Sequence, residues 1–368
     1  MSPATGMSAV NAFPFCLRRS STISARLLPA YQLRNSPLPT PAVHSTSGAR
    51  RSSTRTNPAS LSGRTCLITG GTSGIGHAIA ARFLQEGAGR VILVGRSYAR
   101  LVDAASRLDG SRGAGDGGAS DVATRAPEED QQDTGGNGEA ARTEEKQSGS
   151  LVRSSEKISL LVGDVGDLSA GGWMKELERE MESVDILVNA AGQSISSILP
   201  KSDLPEISRI LSTNLEGAIL TSRALLRASI RARARTRNRP STAAQDSGNP
   251  LSKCIINISS LLAEQGGTGV VPYAASKAGL LGLTRSLAVE AASTLRDVAV
   301  RSNAIVPGYI DTPMISDFSE GETARLKELI PLRRFGDPSE VADAAVFLAR
   351  NEYANNCVLN LDGGLSAV

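Results

Sequence analysis

The chain reads as an α/β protein, a doubly wound sheet of seven parallel strands with helices on both faces. Three observations predict it. Short apolar runs rich in Val, Ile and Leu alternate with longer stretches of helical periodicity. The first run ends in a glycine cluster that leads straight into a helix. The composition is 40% hydrophobic but only 3% aromatic, which suits a core of Ala, Val, Ile and Leu.

Thr65-Cys66-Leu67-Ile68-Thr69 is the first strand, and Ile75 to Glu86 the first helix, stopped by Gly87. Val91 to Val94 and Tyr98 to Leu108 repeat the pattern. Residues 109–156 then break it. They are rich in Gly, Ser, Asp and Glu and nearly free of large apolar side chains, so they cannot offset their ordering entropy, and a disordered insertion is expected. Ile158 to Val162 is the third strand, Trp173 to Met181 a helix, and Asp185 to Asn189 the fourth strand. A long helix is expected from Leu204 to Ile230, then a second irregular insertion over 231–252. Cys254 to Ile258 is the fifth strand. A helix opens at Pro272, whose fixed φ suits a first turn. Val298 to Ile305 is the sixth strand, Glu322 to Leu329 and Ser339 to Ala349 are helices, and Cys357 to Leu361 is the seventh. One domain therefore spans 61–368, with ligands expected beyond the carboxyl ends of the strands.

Residues 1–60 lie outside this pattern. No Asp or Glu precedes Glu86, while Arg18, Arg19, Arg26, Arg34, Arg50, Arg51, Arg55 and Arg64 fall among many Ser, Thr, Ala and Pro. That is the composition of an organelle transit peptide, and it predicts mitochondrial import. A basic tail without an address has the same composition. No apolar run is long enough for a membrane span. A net charge of +3 is too small to suggest nucleic acid as a partner. Cys16, Cys66, Cys254 and Cys357 are far apart, and with only His44 and His77 besides, no metal site is expected.

The turn Thr69-Gly70-Gly71-Thr72-Ser73-Gly74-Ile75-Gly76 joins a strand to a helix. Glycines let the backbone approach an anion, and the helix start adds free N–H groups and a positive dipole end. This predicts a Rossmann-type phosphate cradle formed by Gly70, Thr72, Ser73, Gly74, Ile75 and Gly76, with GxxxGxG spacing instead of the commoner GxGxxG. A tight turn needing only small residues is the plainer alternative. Arg96 follows the second strand where a carboxylate would receive the ribose hydroxyl of NAD. An arginine there can pair with a 2′-phosphate, so NADP(H) is the expected cofactor. Tyr273 and Lys277 lie four apart on a helix, on one face. A cation near a phenol lowers its pKa and fits it for acid–base work near neutral pH.

Together these strings resemble the classical short-chain dehydrogenases/reductases. The resemblance covers about residues 62–368, apart from the insertions. It rests on TGGTSGIG at 69–76, Asp164-Val165, Asn189-Ala190-Ala191-Gly192, Asn214, Ser260, YAASK at 273–277 and Pro307-Gly308. The resemblance implies that Tyr273 is the proton donor, Lys277 its pKa tuner and ribose ligand, and Ser260 the group polarising the substrate oxygen. It implies that Asn214 holds a relay water and that Asp164 and Val165 meet the adenine. Asn189, Ala190 and Gly192 would shape the crevice, and Pro307, Gly308, Ile310 and Thr312 would flank the nicotinamide. Local alternatives stand beside these: Asn214 or Asp164 as a cap, Ser260 as a strand-end serine.

IINISSLLAEQG, YAASKAGLLGLTRSLAVE, RSNAIVPGYIDTPM and PLRRFGDPSEVADAAVFLA are similar to the fatty-acid-synthesis members, the 3-oxoacyl-[acyl-carrier-protein] reductases. That similarity implies an acyl-carrier-protein-bound substrate and a homotetramer. The arginines at 231, 233, 235, 237 and 239 could greet an acidic carrier protein, or could be a solvated loop. A sugar, steroid or xenobiotic reductase and a non-catalytic cofactor-binding subunit are the alternatives.

Overall fold

Apolar runs that are buried along their whole length belong in a parallel sheet covered on both faces. The computed structural model, which describes residues 61–110, 149, 151–167, 172–237, 252–295, 299–316 and 318–368, has such a sheet. Its strands are β1 (Thr65–Thr69), β2 (Arg90–Gly95), β3 (Leu151–Arg153), β4 (Ile158–Val162), β5 (Ile186–Asn189), β6 (Lys253–Ile258), β7 (Val300–Pro307) and β8 (Val358–Leu361). Their order is β3-β4-β2-β1-β5-β6-β7-β8. All neighbouring pairs are parallel except β3 with β4.

Strand periodicity divides the core into two layers. Cys66, Ile68, Val91, Leu93, Ile186, Val188, Cys254 and Ile256 face one layer. There they meet α1 (Gly74–Gln85), α2 (Tyr98–Gly110) and α8 (Pro338–Arg350). Leu67, Ile92, Val94, Leu187 and Ile255 face the other. They pack on α3 (Gly172–Glu180), α5 (Gly217–Arg237) and α6 (Val271–Thr294). Two further helices, α4 (Leu204–Leu211) and α7 (Glu320–Leu329), complete the described elements used below.

Two expectations are corrected. The sheet has eight strands among the described residues, because Leu151–Arg153, placed in the 109–156 insertion, pairs antiparallel with β4. Every residue of β4 is buried, so its outer edge needs hydrogen-bond partners. Leu151 and Val152 supply them opposite Leu161 and Leu160. The insertion residues 111–148 and 150 lie outside the described residues, as do residues 1–60.

The second correction concerns the long helix expected over 204–230. It is continuous but carries a π turn at Ser212–Glu216, and it runs on as α5 to Arg237. The arginines from 231 to 237, read as irregular loop, are helical. Arginine is a good helix former. Arg227, Arg231 and Arg235 also fall four apart and reach Glu178 and Glu182 at 3.4, 3.8 and 2.7 Å. Alternating arginines on a helix do not share one face, so a single loop-borne docking strip is not formed by 231–237. Arg239 lies outside the described residues, as does the rest of 238–251.

Candidate active site

The strand order reverses at β1, which lies between β2 and β5, and sheets of this kind bind ligands at the carboxyl ends beside such a reversal. Thr69 closes β1. Its hydroxyl accepts hydrogen bonds from the N–H groups of Ala190 and Ala191, each at 3.2 Å. That contact ties the glycine loop to the end of β5. Gly70 has φ 68, and a Cβ there would lie 2.8 Å from the Ala191 Cα. A Cβ on Gly76 would lie 2.4 Å from the Gly70 carbonyl oxygen. Only glycine fits either position. Ser73 stands at the N-cap of α1 without capping it through its side chain. The first-turn N–H groups of α1 are thus left for another acceptor, as an anion site requires.

The surrounding residues seat this loop. The Thr72 methyl fills the space beside Gly95, and its carbonyl accepts from Arg107 Nη2 at 2.9 Å. Ile75 packs on the core layer below α1. Gly74 has φ 52, with the Thr312 methyl 3.3 Å from where a Cβ would be, so the segment after β7 crosses the loop. Arg96 is exposed just past the end of β2.

Other expected cofactor residues divide into those at the crevice and those behind it. Gly192 faces the Lys277 ammonium, 3.2 Å from the place of a Cβ, and Asn214 Oδ1 at 3.6 Å. Gly308 packs on Asp362 and its N–H donates to Leu361, closing β7 after Pro307. Ile310 is buried and bridges to Gly336. Ala190 packs against the core at the end of β5. The Asn189 side chain instead points into the sheet. Its Nδ2 donates to Asn257 Oδ1 at 2.8 Å, and its Oδ1 accepts from Thr221 at 2.7 Å. Only the backbone after it edges the crevice. Asp164 accepts from the Gly166 N–H at 2.9 Å, which is the local cap foreseen as its alternative. Val165 is buried against Gly217 at the start of α5.

Ser260, Tyr273, Lys277 and Asn214 come together at the crevice mouth. Ser260 follows β6, and its hydroxyl accepts from the Leu262 N–H at 3.2 Å and hydrogen-bonds the Tyr273 phenol. Tyr273 lies in the first turn of α6 and is buried. Lys277, one turn on, is also buried. Its Nζ donates to the Ile258 carbonyl at 2.9 Å and lies 5.6 Å from the centre of the Tyr273 ring. Ser259 donates to the Lys277 carbonyl at 2.8 Å, so the end of β6 holds this lysine at both head and backbone.

The electrostatics differ from the sequence expectation. Burial raises the Tyr273 phenol above its ordinary value, and the Ser260 hydrogen bond only partly opposes it. Burial drives the Lys277 ammonium down to about 8. The Lys277 ammonium is aimed at the Ile258 carbonyl, and burial outweighs what opposes it at the phenol. Tyr273 therefore stays protonated at neutral pH, poised as a donor. A stability experiment checks the lysine. The folded pKa lies below the ordinary 10.5, so between about pH 8 and 10 the unfolded chain holds a proton the folded chain has lost. Stability from this group rises across that window. Lys277→Met should accordingly gain most over the parent near pH 7, with the gain shrinking by pH 10. Urea unfolding at several pH values measures it, and a pH-independent difference would refute a depressed lysine. The buried thiols Cys66 and Cys254 titrate alike in both proteins and cancel.

Asn214 sits in the π turn, and its amide is engaged by protein. Oδ1 accepts from the Gln193 N–H at 2.8 Å, and Nδ2 donates to the Gln193 carbonyl at 2.9 Å and to Ser276 Oγ at 3.0 Å. Sequence reasoning missed Gln193, Ser259 and Ser276. Ser276 had one signal, three positions after Tyr273 on the same helix. Ser259 and Gln193 had none, since their contacts run between distant strands and turns.

The site thus offers a glycine cradle at an uncapped helix start and a protonated phenol beside a hydroxyl and a lysine. Comparison with known proteins agrees with this chemistry. The family described as short chain dehydrogenase matches residues 64–130. The family described as Enoyl-(Acyl carrier protein) reductase matches residues 138–366. A 3-oxoacyl-[acyl-carrier-protein] reductase of Bos taurus is 32% identical over 82% of this chain and 98% of its own length. Carbonyl reductase family member 4 of Xenopus laevis is 37% identical over 52% of this chain and 70% of its own. Among solved structures, one described as an NAD(P) dependent gluconate 5-dehydrogenase of Beutenbergia cavernae, with bound NADP, has a TM-score of 0.62. It is 28% identical and covers 84% of this chain and 100% of its own. The fold, the glycine turn and the matches together place the chain as an oxidoreductase in the short-chain dehydrogenase/reductase family.

Proposed function

We propose that the protein reduces a 3-oxoacyl thioester, carried on acyl carrier protein, to the 3-hydroxyacyl form, with NADPH as reductant. The observation that carries the reading is the buried, protonated Tyr273 hydrogen-bonded to Ser260 beside a cradle that suits a pyrophosphate. The names of relatives alignable over most of the chain supply the thioester.

NADPH, when bound, supplies the hydride. The residues of the chain do the rest. Gly70, Thr72, Ser73, Gly74, Ile75 and Gly76 hold the phosphates, and Arg96 takes the 2′-phosphate. Gly192 and the backbone at Ala190 would edge the cofactor crevice, with Asp164 and Val165 shaping the turn behind it, and Pro307, Gly308, Ile310 and Thr312 would flank its nicotinamide end. Ser260 donates a hydrogen bond to the substrate oxygen and draws charge toward it. Tyr273 gives that oxygen its proton as charge develops there. Lys277 bonds the nicotinamide ribose and replenishes the proton, and the Asn214 turn shapes the path to it. The acid-free, arginine-rich first 64 residues support a mitochondrial location. A homotetramer is proposed on the same resemblance.

The test is a steady-state assay of the protein with acetoacetyl thioesters and either nicotinamide. Turnover should favour NADPH over NADH, and Arg96→Ala should erase most of that preference by raising KM for NADPH. Turnover of sugar acids with no thioester activity would move the assignment to the second reading, a gluconate-type dehydrogenase, which the names of several solved structures favour. A preference for NADH in the parent would remove the role given to Arg96.

A further inference from the structure

Ser276 lies between Tyr273 and Lys277 and is fully buried. Its hydroxyl makes two hydrogen bonds, one within its own helix and one to the π turn. It donates to the carbonyl of Tyr273 at 2.6 Å and accepts from Asn214 Nδ2 at 3.0 Å. Asn214 in turn grips Gln193 through both backbone groups. Those bonds hold the Gly192–Gln193 turn on the Lys277 ammonium, which Gly192 faces. A single hydroxyl thus links the first turn of the helix bearing Tyr273 to the π turn and to the crevice wall.

We propose that Ser276 is a positioning residue for the proton-transfer site, setting through Asn214 the distance between the Gly192–Gln193 wall and the Tyr273–Lys277 face. The inference rests on the reading of Tyr273 and Lys277 as the proton-handling pair. Its physical basis is the cost of an unmet hydrogen bond in a dry site. Asn214 is 1% exposed, so loss of the Ser276 oxygen leaves one of its amide hydrogens without an acceptor. The amide then turns or admits water, and the wall moves off the lysine. Small displacements of that kind lower a chemical step more than they lower binding.

The experiment is a double-mutant cycle on the full chain with Ser276→Ala, Asn214→Ala and the pair, plus Ser276→Thr to restore the hydroxyl. Ser276→Ala should lower kcat by about tenfold, with KM for acetoacetyl thioester and Kd for NADPH within about twofold. The pair should lose little more than Asn214→Ala alone, because the two residues act as one unit. Ser276→Thr should recover most of kcat. Independent, multiplying losses, or a Ser276→Ala protein that is less stable yet keeps its kcat, would overturn the proposal. A second readout needs no turnover. Wild type and Ser276→Ala, each compared with its own Lys277→Met partner, report the pH window of Lys277, with Tyr273 the titratable group facing it. Loosening the wall should move that window upward, and an unmoved window would count against the brace. If the parent reduces no carbonyl at all, the functional reading fails, while this readout still decides whether Ser276 positions the lysine.

Discussion

Tyr273→Phe should lower kcat by about 100- to 10,000-fold, the usual contribution of a positioned general acid. The ring stays in place, because Tyr273 is 8% exposed and its packing is made by carbon atoms that phenylalanine keeps. What disappears is the hydroxyl that hydrogen-bonds Ser260 and holds a proton at neutral pH. NADPH binding, followed by fluorescence, should stay within about twofold of wild type, since the phosphate cradle lies on another loop. The melting temperature should move little, because the lost group makes one hydrogen bond at a crevice mouth. Turnover at the parental rate would remove Tyr273 from the chemistry. Lost cofactor binding with lost turnover would instead point to a role in shaping the crevice.

Arg301→Met should destabilise the fold by about 3–5 kcal/mol, the cost of breaking a buried charged network. Arg301 is 3% exposed near the start of β7. Its guanidinium donates to Leu348 and Ala354 at 2.7 and 3.0 Å, to Ala349 at 3.0 Å and to Ser252 Oγ. Leu348 and Ala349 are in the last turn of α8, where carbonyls lack intrahelical donors and the dipole end is negative. Glu352 lies 3.7 Å from Arg301 and 3.8 Å from the buried Arg64. Ser252, which resumes the chain after the second insertion, is tied to both arginines and to Glu352. The cluster therefore fastens α8 and the return of the insertion to the amino ends of the strands. The reaction site is at the other ends, about 20 Å away by strand rise. Activity per folded molecule should consequently survive the substitution. Denaturant titration and active-site titration together check both halves, and an undiminished unfolding free energy would refute the clamp.

Both predictions concern residues with different visibility in the sequence. The Tyr273–Lys277 spacing was visible and gained its meaning from the motifs around it, and the glycine loop could be read from its place between a strand and a helix. Both are local patterns, and local patterns survive folding. Arg301 gave no such sign. Its acceptors lie 47 to 53 positions away along the chain, and nothing in a lone arginine inside an apolar strand tells whether it is satisfied. Asn189 shows the opposite error. The family resemblance implied a place for it at the crevice, yet strand alternation turns its side chain inward, to Asn257 and Thr221.

By itself the sequence determined the layered α/β fold, the order of its main strands and helices, the cradle at 70–76 and the set Ser260, Tyr273 and Lys277. The fold and the cradle follow from periodicity and glycine geometry, and the Tyr273–Lys277 pairing from spacing along one helix, while Ser260 and the roles of the set came with the family resemblance. Only the tertiary structure decided the edge strand at 151–153, the π turn within the helix at Asn214, and the extension of α5 through Arg237. Only it showed that burial raises the phenol above its ordinary pKa. The physical reason is common to all of these. Each depends on what lies opposite in space: an open strand edge, a backbone turn for an amide to grip, acidic residues on a neighbouring helix, or the absence of water. None of those is written in the residues next to it.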